Sequence, residues 1–280
     1  MSLKGKTIFI TGASRGIGLA IAKRCAADGA NIVIAAKTTE PHPKLEGTIY
    51  TAAEEVVKAG AVHNAQALPV MCDIRDEESV KAAVKLTMEK FGGIDICINN
   101  ASAISISNTL NTPMKRFDLM FGVNVRGTYM TSSICAPHLI ESAKAGRNPH
   151  ILNLAPPLNL NPKWFKHHTA YTMAKYGMSM CVIGMAAEFK ERGIAVNGLW
   201  PRTIIATAAF QVIPGVDWKN GRTPAIMADA AQVVLSRPSN HTTGQILIDD
   251  EVLASNGITG LGKYATTPGN TSFIPDLFLD

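Results

Sequence analysis

Short, almost uninterrupted apolar runs punctuate this chain at 7–11, 31–35, 66–71, 94–99, 150–154, 194–199 and 245–248, with longer amphipathic stretches between them. A strand with one face in water alternates apolar and polar residues, whereas a strand covered on both faces reads as a continuous apolar run. Parallel strands are covered in this way because each connection has to cross the sheet, usually as a helix. The stretches 17–28, 77–91, 115–143 and 171–192 are long enough to be such helices. The chain is therefore expected to be α/β: a doubly wound parallel sheet of about seven strands with helices on both faces. No Gly/Ser linker, charge block or internal repeat divides it, so residues 1–280 are expected to form a single domain, with 250–280 as a C-terminal extension.

Three connections are longer than this pattern needs: 37–47 with Pro41 and Pro43, 155–168 with Pro156, Pro157 and Pro162, and 203–223. Long irregular segments in such folds often carry function. The stretch 203–222 is apolar around Ile204, Ile205, Phe210, Val212 and Ile213, and is expected to be a lid over a hydrophobic substrate. The net charge of +5 is spread along the chain, which gives no case for a nucleic-acid partner. The five cysteines are far apart and form no C-x-x-C pair, as expected of reduced core residues. His167 and His168 are adjacent and belong to no recognisable ligand set, so no metal is expected. No apolar run is long enough for a bilayer and no signal-like leader opens the chain, so no membrane partner and a cytoplasmic location are expected.

The first apolar run leads directly into Thr11-Gly12-Ala13-Ser14-Arg15-Gly16-Ile17-Gly18 and then into a helix. Glycines at such a turn let backbone amides and the helix N-terminus approach a pyrophosphate. Far downstream, Tyr171 and Lys175 are four residues apart. On a helix that spacing brings Cβ atoms to about 5–6 Å. A tyrosine with an ordinary pKa of about 10 is a poor base near neutrality, and a neighbouring ammonium favours its phenolate.

These motifs, in this order, resemble the short-chain dehydrogenase/reductase family, whose phosphate loop reads T-G-x-x-x-G-x-G and whose active site carries Y-x-x-x-K. The resemblance implies a Rossmann-type fold and extends over nearly the whole chain. It implies that Asp73 contacts adenine, that Asn99-Asn100-Ala101 matches N-N-A-G with Ser102 in place of the glycine, and that Pro201 follows the sixth strand. By the same resemblance Tyr171 is the acid/base, Lys175 its activator and a ligand of the nicotinamide ribose, and Asn124 the holder of a relay water. Thr11, Gly12, Ser14, Arg15, Gly16, Ile17, Gly18, Asn100, Ala101 and Thr203 complete the implied cofactor site.

At the end of the second strand, NAD-dependent relatives place an acid on the ribose 2′-hydroxyl; this chain has Lys37, with Arg15 in the phosphate loop. Two cations there suit a 2′-phosphate, so NADP(H) is the expected cofactor. The family's catalytic serine is missing: its position falls on Pro156 or Leu158, depending on which side of the lengthened loop it is counted from. Losing such a donor typically lowers turnover by about 10²–10³ fold. Asn159, Asn161, His168 and Thr169 are nearby substitutes.

Further stretches, among them A-P-P-L-N-L-N-P-K-W-F, are similar to one branch of the family, which implies an apolar, lipid-related substrate. Animal members of that branch carry a C-terminal sterol-carrier domain and a peroxisomal address; their absence after Asp280 fits the expected cytoplasmic location. The expected function is an NADP(H)-dependent oxidoreductase interconverting an alcohol and a carbonyl. The alternative is a nicotinamide-binding sensor or scaffold with little turnover. The resemblance also implies a homodimer or homotetramer, and the apolar stretch 178–187 suits either such an interface or burial against the sheet.

Overall fold

The computed structural model describes residues 1–43, 45–208 and 217–280. Its centre is a seven-stranded, all-parallel sheet with strand order β3-β2-β1-β4-β5-β6-β7. The strands are β1 (Thr7–Thr11), β2 (Asn31–Ala36), β3 (Ala67–Met71), β4 (Ile96–Asn99), β5 (His150–Asn153), β6 (Ala195–Trp200) and β7 (Ile246–Ile248). Every apolar run noted in the sequence is thus a strand, with boundaries moved by at most a residue or two.

Eight α-helices flank it among the described residues: α1 (Gly16–Ala27), α2 (Ile49–Ala59), α3 (Glu77–Phe91), α4 (Met114–Met120), α5 (Thr128–Lys144), α6 (Thr169–Phe189), α7 (Ala225–Ser236) and α8 (Asp249–Ser255). Side-chain alternation along the strands divides the core. Ile8, Ile10, Ile32 and Ile34 pack with α1, α2 and α7 on one face. Phe9, Val33, Cys97 and Ile151 pack with α3, α5 and part of α6 on the other. Both faces are dry, which is why the strands read as unbroken apolar runs.

The stretch expected as one helix over 115–143 is α4 and α5 joined by a π-helical segment, Phe121–Gly127. Gly122 and Gly127 lower helix preference within it, and Gly127 sits so close to Ile74 that a Cβ would lie 2.6 Å from its Cδ1. The π segment carries Asn124. α2 starts from a reciprocal cap between Thr48 and Thr51, which ends the irregular stretch after β2. Of the segment expected as a lid, residues 203–208 and 217–222 are described; Phe210, Val212 and Ile213 lie outside the described residues.

Candidate active site

β1 and β4 are neighbours in the sheet, with β2 and β3 to one side and β5 to β7 to the other. Consecutive connections diverge from this point, and a crevice opens outside the strands' carboxyl ends. The cleft there has a volume of about 1050 Å³. It is lined by Gly12, Ser14, Arg15, Gly16 and Ile17 of the turn, by Lys37 and Asp73, and by Asn100 and Ala101 after β4.

Gly12 has φ +65°, and a Cβ there would lie 2.8 Å from the Ala101 Cα. A Cβ on Gly18 would lie 2.7 Å from the Gly12 carbonyl oxygen. The turn therefore accepts no side chain at either position. Thr11 and Gly18 stand behind the cleft wall. The Thr11 hydroxyl accepts from the Asn100 and Ala101 amides, both at 3.1 Å, and donates to the Ile98 carbonyl. The Asn100 side chain donates in return to the Thr11 and Gly12 carbonyls at 2.9 and 3.0 Å. The glycine turn is thereby latched to the end of β4.

At the β2 end of the cleft, Arg15 donates to the Gly47 carbonyl at 2.8 Å, while its Nε is buried without a partner among the described residues. The Lys37 ammonium is 3.7 Å from Asp73, and Arg75 grips the same carboxylate at 2.5 Å. The Arg75 hydrogen bond holds the Asp73 carboxyl down at about 2 against some opposition from burial.

Tyr171 and Lys175 share the inner face of α6, and both are buried. The Lys175 ammonium donates to the Leu154 carbonyl at 2.7 Å and lies 5.0 Å from the centre of the Trp200 ring. Burial pushes its pKa down to about 7, with Asp276 pulling the other way. Burial, and secondarily the charge of Asp276, pushes the Tyr171 phenol well up. The ammonium thus meets its opposition from desolvation, which the spacing alone does not express. Asn124 is fully buried; it accepts from the Ala103 amide at 2.8 Å and donates to the Ala103 carbonyl at 2.9 Å. Its amide fixes the chain just beyond β4. Pro201 and Thr203 follow β6 and are buried, and the Thr203 hydroxyl has no partner among the described residues.

Of the four candidate substitutes for serine, three are committed elsewhere. Asn159 donates to Asp280, Asn161 caps the turn at Lys163, and the Thr169 hydroxyl donates to the Phe165 carbonyl. His168 is buried, with its ring 6.4 Å from that of Tyr171. Thr172 gives its only hydroxyl proton to the Trp164 carbonyl, so it accepts from His168 Nδ1, and the neutral imidazole keeps a bare Nε2. Burial lowers the pKa of His168, which favours that neutral form.

Three neighbours of Tyr171 and Lys175 carry no local sequence signal: Trp200, Asp276 and Phe278. Phe278 stacks on Tyr171 with ring centres 6.3 Å apart and planes at 28°. It sits in one apolar cluster with Tyr171, Tyr176 and Trp200.

Residues 6–214 match the family model described as short chain dehydrogenase. Over 279 residues, 99% of this chain, the sequence is 58% identical to hydroxysteroid dehydrogenase-like protein 2 of Danio rerio, and the chain spans 65% of that protein's length. Among solved structures, it is similar to a putative dehydrogenase from Xanthomonas campestris, at 56% identity and a TM-score of 0.94, with both chains covered completely. It is also similar to a short chain dehydrogenase from Mycobacterium thermoresistibile, at 55% identity and a TM-score of 0.91 over 100% of this chain and 96% of that one.

Proposed function

The chain belongs to the short-chain dehydrogenase family of oxidoreductases, and on that footing we propose that it interconverts an alcohol and a carbonyl on an apolar, lipid-related substrate with NADP(H). The observation that carries this is the shared edge: the Lys175 ammonium donates to the carbonyl of Leu154, directly after β5, so the Tyr171–Lys175 face of α6 and the glycine turn after β1 both lie past the carboxyl ends of the parallel strands. A dinucleotide fits the residues present. The cradle admits no Cβ at Gly12 or Gly18, and Arg15 Nε and Thr203 Oγ1 are buried polar atoms without partners among the described residues.

When bound, the nicotinamide supplies or accepts the hydride. Tyr171 gives a proton to the carbonyl oxygen in reduction and takes it from the alcohol in oxidation. Lys175 biases that phenol by its charge and binds the ribose. Asn124 holds the backbone at Ala103, and as the family resemblance implies it would also hold a relay water. Ser14, Gly16 and Ile17 would hold the pyrophosphate and Asp73 the adenine, with Asn100, Ala101, Pro201 and Thr203 completing the cofactor site. Lys37 and Arg15 form the cationic corner for the 2′-phosphate. Lipid-related chemistry is supported by the name of the Danio rerio relative, and a homodimer by the exposed Met173, Met180 and Ile183 along α6. We further propose one domain over 1–280, with 203–222 as a substrate lid.

The test is a screen of medium and long-chain aldehydes, ketones and 3-oxoacyl thioesters with NADPH, following absorbance at 340 nm. Tyr171→Phe is expected to keep NADPH binding and to lose carbonyl reduction by about 10²–10⁴ fold. Unchanged turnover in that variant discards the mechanism. Intact binding with no turnover of any substrate by the wild type favours a sensor.

A further inference from the structure

Resting on the reaction proposed at Tyr171 and Lys175, we propose that Asp276 is a positioning residue of that pair, held against it by a strap, residues 274–280, folded back across the carboxyl end of the sheet. The strap is tied down by backbone bonds along the exit from β6. Ile274 exchanges bonds with Asn220 and Ile204, each at 3.0 Å, and the Asp276 amide donates to the Arg202 carbonyl at 3.0 Å. The Trp200 indole donates to the Leu277 carbonyl at 2.9 Å. That same indole covers the Lys175 ammonium, so the residue next to Leu277 enters the ammonium's surroundings.

Phe278 anchors the strap. It is 1% exposed and has φ +75°, a left-handed conformation that a bulky residue rarely adopts. Such a conformation persists only where the surroundings over-determine it, and such sites cluster where function resides. The surroundings here are the rings of Tyr176, Trp200, Trp164, His168 and Tyr171, with centres 5.2, 5.8, 6.0, 6.2 and 6.3 Å from that of Phe278. A shift of the wedge therefore disturbs the Tyr171 ring and the Lys175 cover together.

The carboxylate of Asp276 is buried, and its Oδ1 accepts from the Leu277 amide at 2.7 Å. Burying a carboxylate is costly unless a cation compensates it. Lys175 is the cation that acts on it, and Asp249, at the start of α8, is the opposing acid. Arg202 is turned to Asp250 and Glu251, while Arg222 faces Phe273 and acts on Asp249. Burial pushes Asp276 up to about 7 and Lys175 down to about 7, each partly relieved by the other, so they titrate as a pair near neutrality. An ionised Asp276 raises the pKa of both Lys175 and Tyr171. It keeps the ammonium charged and the phenol protonated, the state that donates a proton to a carbonyl. The strap therefore biases the pair toward reduction.

The test uses the full chain carrying Trp164→Phe and Trp218→Phe, so that the remaining tryptophan emission reads Trp200, between Lys175 and Phe278. This background is expected to show a step near neutral pH that Lys175→Met removes. Asp276→Asn is expected to move the Lys175 step acidward by about one pH unit, a tenfold change in the protonation ratio, and Asp276→Glu to restore it in part. An unshifted step in Asp276→Asn overturns the proposal. If that variant fails to fold by circular dichroism, Phe278→Leu decides: it loosens the strap, and its step moves in the same direction or the proposal fails. The alkaline limb of kcat/KM for an NADPH-reduced ketone, where Lys175 loses its proton, should follow the emission step. Turnover by Tyr171→Phe would sink the reaction while leaving the emission titration standing; an unshifted step with an inactive Tyr171→Phe would sink the strap alone.

Discussion

On the NADP(H) preference proposed above, Lys37 is the residue that would decide between the two nicotinamide dinucleotides. Its side chain is more than half exposed and 3.7 Å from Asp73, a carboxylate already neutralised by Arg75. A 2′-phosphate would meet there a cationic head held only by a long, half-exposed ion pair to a carboxylate that Arg75 already grips. Lys37→Ala is expected to raise KM for NADPH by about tenfold, the loss of one charge-assisted bond, while KM for NADH changes little. Steady-state kinetics with both cofactors check it, and an equal loss for both contradicts a 2′-phosphate role. Tyr171, Lys175 and the glycines of the turn were legible because their chemistry lies in local spacing. Thr11 and Asn124 were legible as positions, but their bonds to residues 98–103 were not. Asp276 and Phe278 left no trace, since a carboxylate and a ring near the end of a chain acquire meaning only from partners far back along it. The left-handed backbone of Phe278, worth about 1–3 kcal/mol of strain, is likewise invisible in a residue type that ordinarily avoids it.

At the scale of the elements, continuous apolar runs announced the strands because both faces of the sheet are covered. Helices were harder to bound: the π-helical turn between α4 and α5 interrupts a pattern whose hydrophobic period continues through it. β5 carries a polar group that periodicity would not place inside. His150 is 1% exposed, and Nε2 sits 3.1 Å from both the Arg237 carbonyl and the Asn148 amide nitrogen. Burial pushes its pKa from 6.5 down to about 4. Because the folded value is depressed, the stabilisation is present above pH 6.5 and drains away as pH falls toward 4, a loss of about 3 kcal/mol in all. Urea unfolding at pH 7 and pH 4.5 should reveal this decline in wild type and a flatter dependence in His150→Asn. An identical slope in the two proteins would assign the acid sensitivity elsewhere.

For the whole molecule, a feature not used by the crevice is the outer side of α6, where Met173, Met180 and Ile183 are 45%, 62% and 51% exposed, with Tyr129 of α5 at 60%. No helix among the described residues is long and apolar enough to cross a membrane, so this stripe is not part of a span. On the homodimer proposed above, pairing with a second copy would cover it. Ile183→Glu is expected to shift the sedimentation profile toward monomer without altering NADPH binding; an unchanged profile would place the contact on another face. Neither the stripe nor the strap is apparent from strand rhythm, because both depend on which helix faces remain uncovered after the layers close. The latch between Thr11 and Asn100 has its own implication for assembly. Its two halves are separated by three strands' worth of chain, so the nucleotide cradle cannot exist in a nascent or half-folded polypeptide. Only after the central pairing of β1 with β4 does the loop acquire its back wall, and a dinucleotide that grips it stabilises the docked sheet rather than any precursor.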